Sequence, residues 1–260
     1  MRAEVTRALH AFRYWLKLYS RTWRATIVIS VANPLLFLLG IGVGLGHLVD
    51  QGHSATLGGV SYSDFFAPGL LAASAMQTAF VECGGRVTMA AGWAGSYRAA
   101  AMTPLEPTEI LAGHMLFAAF RLATSSAAFI LVMEIFGVTS LSSALLVLPA
   151  ALLTGLAFAA PLAAWTVTLR SYARVNSLFR FVIMPMYMFS GTFFALGQLP
   201  QGVRQLAAAL PLAQGVDLCR SLSLGVASAP AALGHTAYLL ACVLAGVAVA
   251  RVTYARRLHA

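Results

Sequence analysis

Six apolar stretches, at roughly 25 to 47, 65 to 82, 110 to 136, 142 to 168, 177 to 197 and 229 to 250, constrain this chain more than any other feature. A helix needs about 20 apolar residues to cross the hydrocarbon layer. Lipid offers no partner to an unpaired amide or carbonyl, so such a run must close its backbone hydrogen bonds within itself. Each stretch reaches or approaches the required length. The expected fold is therefore an all-α membrane protein with six transmembrane helices. Only 10% of the residues are charged, against about 25% in a soluble domain, which favours one membrane domain over two small soluble ones.

The net charge of +9 invites a nucleic-acid reading, but the basic residues sit at the ends of the apolar stretches and accompany no recognition motif. Nucleic-acid binding is excluded on that ground. Arg2, Arg7, Arg13, Lys17, Arg21 and Arg24 precede the first stretch. Arg86 and Arg98 separate the second from the third, and Arg170 and Arg174 separate the fourth from the fifth, with Arg180 just inside it. Arg251, Arg256 and Arg257 follow the sixth. With six spans all of these share one side, leaving Arg204 and Arg220 opposite and Arg121 within the third stretch. By the positive-inside rule both termini are cytoplasmic. The expected location is the bacterial cytoplasmic (inner) membrane. The long basic leader lacks a cleavage pattern, so the first stretch is expected to remain in the mature protein.

Three other segments have helical character. Residues 1–24 put Arg2, Arg13, Lys17, Arg21 and Arg24 on one stripe and Phe12, Trp15, Tyr19 and Trp23 on the other, as in an interfacial amphipathic helix. Residues 83–109 are too long for a plain turn and are expected to hold a short helix, stopped by Thr103-Pro104-Leu105-Glu106-Pro107. Thr108 is then the expected cap of the third span. Residues 198–228 are broken by Pro200, Gly202, Pro211, Gly215 and Gly225. They read as an outer re-entrant helical hairpin, with Asp217 and Arg220 three apart on one face. The domain plan is a connecting helix at 1–24, a transmembrane domain at 25–250 and a cytoplasmic tail at 251–260.

Little catalytic chemistry is visible. A phosphate-binding loop of the form G-x-x-x-x-G-K-[ST] needs a lysine, and the one lysine, Lys17, lies in an aromatic-rich helix. Any ATP-driven activity must therefore come from a partner, and the chain itself is not expected to be an enzyme. The three cysteines form no C-x-x-C pair, and neither they nor the six histidines show metal-site spacing. Ser190-Gly191 with His235 is the nearest approach to an intramembrane serine protease, but Met188 stands where that motif needs glycine. Ionisable residues inside apolar stretches are costly and mark functional or structural pairings. Glu82 can meet Arg86 one turn on. Arg121 can pair with a neighbouring helix or touch an anionic substrate, and Glu134, roughly 20 Å further along the same helix, lies out of its reach. Ser190 and Gly191 join these three as residues of the substrate pathway or of helix packing.

Several runs resemble the permeases of ABC-2 type transporters. They are Phe66-Ala67-Pro68-Gly69-Leu70, Ser74-Ala75-Met76 and Thr78-Ala79-Phe80-Val81-Glu82 in the second stretch, then Tyr97, Thr103-Pro104-Leu105, Glu109-Ile110 and Gly113. Pro185-Met186, Met188-Phe189-Ser190-Gly191-Thr192-Phe193-Phe194, Leu199-Pro200, Leu210-Pro211-Leu212 and Asp217-Leu218-Cys219-Arg220 continue the likeness, which covers about residues 60 to 225. Within that family the likeness is greatest to nodulation-factor (lipo-oligosaccharide) exporter permeases, with daunorubicin-type drug exporters next. The resemblance implies a coupling helix at about 92–105, with Tyr97, Arg98, Thr103, Pro104 and Leu105, docking on a separate ABC ATPase that binds ATP and magnesium. It also implies two ATPase copies, a second copy of the chain or a homologous permease, and an amphiphilic cargo. No cofactor is expected in this chain.

Overall fold

The computed structural model describes residues 2–40, 60–92 and 94–258. The end of the first apolar stretch, Trp93 within the coupling segment and the last two residues of the tail lie outside the described residues. All regular structure among the described residues is helical.

Helix α1 (Arg2–Tyr19) is amphipathic as its stripes require, but its apolar face turns onto protein. Trp15 and Tyr19 are buried while Arg13 and Lys17 are exposed. Trp23 leaves the aromatic stripe because the chain turns at residues 20–22, where the Ser20 hydroxyl donates to the Lys17 carbonyl at 2.8 Å. Helix α2 (Trp23–Phe37) then starts on a new axis.

Helix α3 (Tyr62–Ala79) is capped by Ser61, whose hydroxyl accepts from the Asp64 amide at 3.2 Å. It runs without a break through a π-helical turn at Phe80–Gly85 into helix α4 (Arg86–Ala91). A short helix α5 (Ser96–Ala101) follows Gly95, whose φ of 65° is one that a side chain would resist. Helix α6 (Pro107–Ile135) begins with a capping box: Glu106 is the N-cap, and the Glu109 carboxylate accepts from the Glu106 amide at 2.9 Å. Thr108 is therefore not the cap. Pro107 has no N–H and a φ already suited to the first helical position, so the helix starts earlier than the threonine suggested.

Helix α7 (Leu141–Thr166) starts at the Ser140 cap. Helix α8 (Tyr172–Leu178) passes through a second π turn, Phe179–Ile183, into α9 (Met184–Phe189). After a bend and a short 3-10 turn come α10 (Gln201–Ala208), α11 (Pro211–Ser223) and the long α12 (Ala229–Leu258). Among the described residues three helices, α6, α7 and α12, are each long and apolar enough to cross a membrane. The π turns divide the α3–α4 and α8–α9 runs into shorter pieces.

Side-chain contacts define two ends. Tyr97, His114, Thr166 and Tyr254 gather near the π turn of α3–α4, whereas Phe65, Gly191, Phe193 and Arg220 gather near the start of α3. Glycines set how closely the helices pack between these ends. A Cβ on Gly215 would strike the Thr154 side chain, one on Gly155 would strike Leu122, and one on Gly246 would lie 2.6 Å from Pro161. Such close approach is how helices associate where lipid removes the hydrophobic drive. Gly215→Val is expected to force α11 from α7 and to cost about 1–3 kcal/mol. Gly234→Ala, which meets nothing within 4 Å, should be neutral or slightly stabilising. Thermal unfolding of the detergent-purified variants compares the two.

Candidate functional site: a buried charge cluster beneath helix α5

The π turn explains why charge can reside inside this bundle. Its wider winding leaves carbonyls free to bond outside the helix. The Glu82 carbonyl accepts from His114 Nε2 at 3.0 Å, the Cys83 carbonyl from the Thr166 hydroxyl at 2.6 Å, and the Gly84 carbonyl from the Thr88 hydroxyl at 2.9 Å. A carbonyl can only accept, so His114 carries its proton on Nε2.

The same turn aims the Glu82 side chain, 1% exposed, at two guanidinium groups. Arg121 Nε donates to Glu82 Oε1 at 3.2 Å, and Arg86 Nε lies 2.7 Å from Oε2 as an ion contact without a well-aligned hydrogen bond. Arg121 Nη1 also donates to the Tyr19 hydroxyl at 3.1 Å and to the Thr124 hydroxyl at 3.2 Å. The Arg121 guanidinium lies 4.7 Å from the centre of the Tyr19 ring, and Arg86 lies 5.7 Å from that of Phe117. One carboxylate thus ties α1, α4 and α6 together. A second tie, Arg7 Nε to Glu109 Oε1 at 2.8 Å, fixes α1 to the first turn of α6. Between the two ties Gly113 admits α1 so closely that a Cβ there would strike Ala11.

Helix α5 sits on this cluster through Tyr97, with Ala100 and Ala101 packed partly buried beside it. Tyr97 is buried, with its ring 6.2 Å from Trp15, 6.0 Å from His114 and 5.6 Å from Tyr254, and its hydroxyl 3.4 Å from the Tyr254 hydroxyl. Burial pushes the Tyr97 phenol well above its ordinary pKa, so it stays a neutral hydrogen-bonding group. Arg98, Met102, Thr103 and Pro104 are exposed and Leu105 is half-buried. Tyr97 therefore serves as the inward anchor, while its neighbours provide the outward face.

Residues 9–224 match the ABC-2 type transporter family, a span that takes in most of α1, the charge cluster, α5 and the helices through α11. The chain belongs to the ABC-2 type transporter family. It is 34% identical over 222 residues to nodulation protein J of Rhizobium leguminosarum bv. viciae, covering 81% of this chain and 82% of that protein. Nodulation protein J of Rhizobium meliloti (strain 1021) is 31% identical over 223 residues, covering 81% of each chain. That of Neorhizobium galegae is 30% identical over 233 residues, covering 85% of this chain and 82% of that one. No solved structure matches the chain significantly. As an ABC-2 protein it is a membrane transport component with an exporter permease role.

At the other end of this ABC-2 bundle, Arg220 of α11 joins the start of α3 to the end of α9. Its Nε donates to the Phe65 carbonyl at 2.9 Å and its Nη2 to the Gly191 carbonyl at 2.7 Å. The guanidinium lies 3.7 Å from the centre of the Phe65 ring, and Asp217 approaches only to 3.7 Å. Arg220 thus works mainly on backbone carbonyls. Gly69 leaves it room, since a Cβ there would lie 2.9 Å from Nη2. Gly191 ends α9 with a φ of 79°. Ser190 is buried with no hydrogen-bond partner among the described residues, while His235 Nδ1 is engaged by Gln214 Oε1 at 2.6 Å. No Ser–His hydrogen bond of a protease dyad is formed. Glu134 is exposed near the end of α6 remote from Glu82 and makes no ion pair among the described residues.

Sequence reasoning singled out Glu82, Arg121 and Tyr97 but missed Tyr19, Trp15, His114 and Tyr254. Trp15 and Tyr19, one turn apart, were read as a face for lipid. His114, a titratable group within an apolar stretch, was the available signal for the cluster. Tyr254 sits among basic tail residues and gave none.

Glu82→Gln leaves Arg121 buried without its counter-charge and is expected to cost about 3–5 kcal/mol. Glu82→Gln combined with Arg121→Met should recover part of that loss. Unfolding temperatures in detergent test both, and an additive double variant would argue against direct pairing.

Proposed function

We propose that the chain is the membrane-spanning permease subunit of a bacterial ABC exporter, driven by a separate ATPase subunit. It resides in the cytoplasmic (inner) membrane with six spans and both termini in the cytoplasm. Residues 1–24 form the interfacial connecting segment built on α1, 25–250 the transmembrane domain, 198–228 its outer re-entrant segment and 251–260 the tail. Two copies, or this chain and a homologous permease, enclose the pathway and engage two ATPases. These bind ATP and magnesium, and the permease itself needs no cofactor.

The observation that carries this reading is α5, a short helix with an exposed outer face and one buried tyrosine. Tyr97 meets α1, α6 and α12 at once through Trp15, His114 and Tyr254. A push on Arg98, Thr103 or Pro104 would be shared among three elements at that tyrosine. Arg7, Arg86 and Arg98 accompany this end of the bundle and Arg220 the other, in keeping with a cytoplasmic docking face. The cargo is an amphiphile, a lipo-oligosaccharide, glycolipid or lipid-like molecule. The likeness to nodulation protein J supports this.

Co-expression with an ABC ATPase from the same genome, followed by purification and ATPase assay with and without cargo, tests the proposal. The complex should co-purify, and cargo should accelerate hydrolysis. Arg98→Glu, or a glycine inserted after Thr103, is expected to return the stimulated rate to the basal one while leaving membrane insertion intact. Loss of neither co-purification nor stimulation in these variants would remove α5 as the docking element.

A further inference from the structure

An apolar groove of about 810 Å³ lies between α7, α8–α9 and α12, away from the charge cluster. Phe158 and Trp165 on α7, Val182 and Met186 on α8–α9, and Cys242 and Val249 on α12 form its walls. Its shape has a direction. From Cys242 to Thr253 along α12 is about 16 Å at the helical rise, close to one leaflet of a hydrocarbon layer about 30 Å thick. Pro211, at the start of α11, marks one end, and Thr168 and Thr253 mark the other.

The charged residues nearest in sequence to that second end are all basic. Arg170 follows Thr168 by two residues, Arg256 follows Thr253 by three on α12, and Arg174 precedes the lining residue Leu178 by four on α8. Three and four residues are helical neighbours on one face. All three arginines are exposed, and none has an ion pair among the described residues. An apolar slot one leaflet deep, with exposed arginines two to four residues from the residues that line one end, matches a molecule with one long hydrocarbon chain and an anionic head. Basic sites between spanning helices on the cytoplasmic side bind acidic lipid head groups in this way.

We propose that this groove holds an acyl chain of an anionic glycerophospholipid of the cytoplasmic leaflet, its phosphate met by Arg170, Arg174 and Arg256. The proposal rests on the spanning topology given under the proposed function. The lipid braces α12 against α7 and α8–α9, so that the helix carrying Tyr254 is packed on its lipid-facing side as well. A second copy of the chain is the competing occupant.

The full chain, purified in dodecyl maltoside, is titrated with phosphatidylglycerol or phosphatidylcholine brominated in the acyl chains. Quenching at Trp165 is the difference between the native protein and Trp165→Phe. Phosphatidylglycerol should reach half-quenching at about a fivefold lower mole fraction than phosphatidylcholine, and high salt should narrow the interval. Combined Arg170→Gln, Arg174→Gln and Arg256→Gln should abolish the preference. Ala245→Phe, which fills the groove, should reduce quenching by both lipids. If the triple variant does not fold, the salt dependence of the native protein still decides. Equal quenching by the two lipids overturns the proposal, as does absent quenching with a Val249→Cys cross-link between copies. Extraction of the chain from membranes by alkaline carbonate would instead refute the spanning topology. A chain that resists carbonate yet shows no lipid preference refutes only the lipid site.

Discussion

The Glu82 carboxylate governs the arrangement of this bundle. In a medium of low polarity an isolated charge is so costly that its counter-charges must be brought to it and held there. Arg121 from α6 and Arg86 from α4 supply the positive charge, and Tyr19 from α1 orients Arg121. Three elements distant in sequence are thereby fixed at one depth, while the apolar surfaces around them would tolerate sliding. Charge here specifies position, and close packing at Gly113, Gly155, Gly215 and Gly246 then sets the separations.

The π turn makes that carboxylate usable. There the carbonyls of Glu82 and Cys83 accept from His114 and Thr166, while the Thr166 hydroxyl also lies 2.7 Å from the Leu162 carbonyl of its own helix. Because the turn is wide, these side chains repair its hydrogen bonding and in return stitch α6 and α7 to α3–α4. The segment is a defect in helical regularity and a junction between helices for the same reason.

How much of this could be read from the sequence follows from what each signal depends on. The apolar runs around α6, α7 and α12 depend only on local composition, and there the reading matches α6 and α7 closely, whereas α12 continues to Leu258 through residues read as the tail. The amphipathic α1 was equally legible, but not what its aromatic face would meet, because the docking of Trp15 and Tyr19 on Phe117 and His114 is a contact across about a hundred residues. The start of α6 was misjudged by giving the cap to Thr108 when Pro107 already fixed the first helical position. The Tyr97–Tyr254 contact spans most of the chain and has no local periodicity to announce it. The π turns have no signature of their own in the sequence: Glu82 and the paired glycines of Phe80–Gly85, and Arg180 of Phe179–Ile183, mark polarity and close packing but not a change of helical winding.

The widened turn at Phe80–Gly85 also sets the phase of the helix that contains it. One additional residue in a turn rotates everything beyond it by about 100° relative to an uninterrupted helix. Tyr62 and Phe66 therefore meet Phe193 on one angular register, and Arg86 meets Phe117 on another. A single run of chain presents two differently oriented contact surfaces without a loop between them, and each end of the bundle can keep its own geometry while sharing one rod.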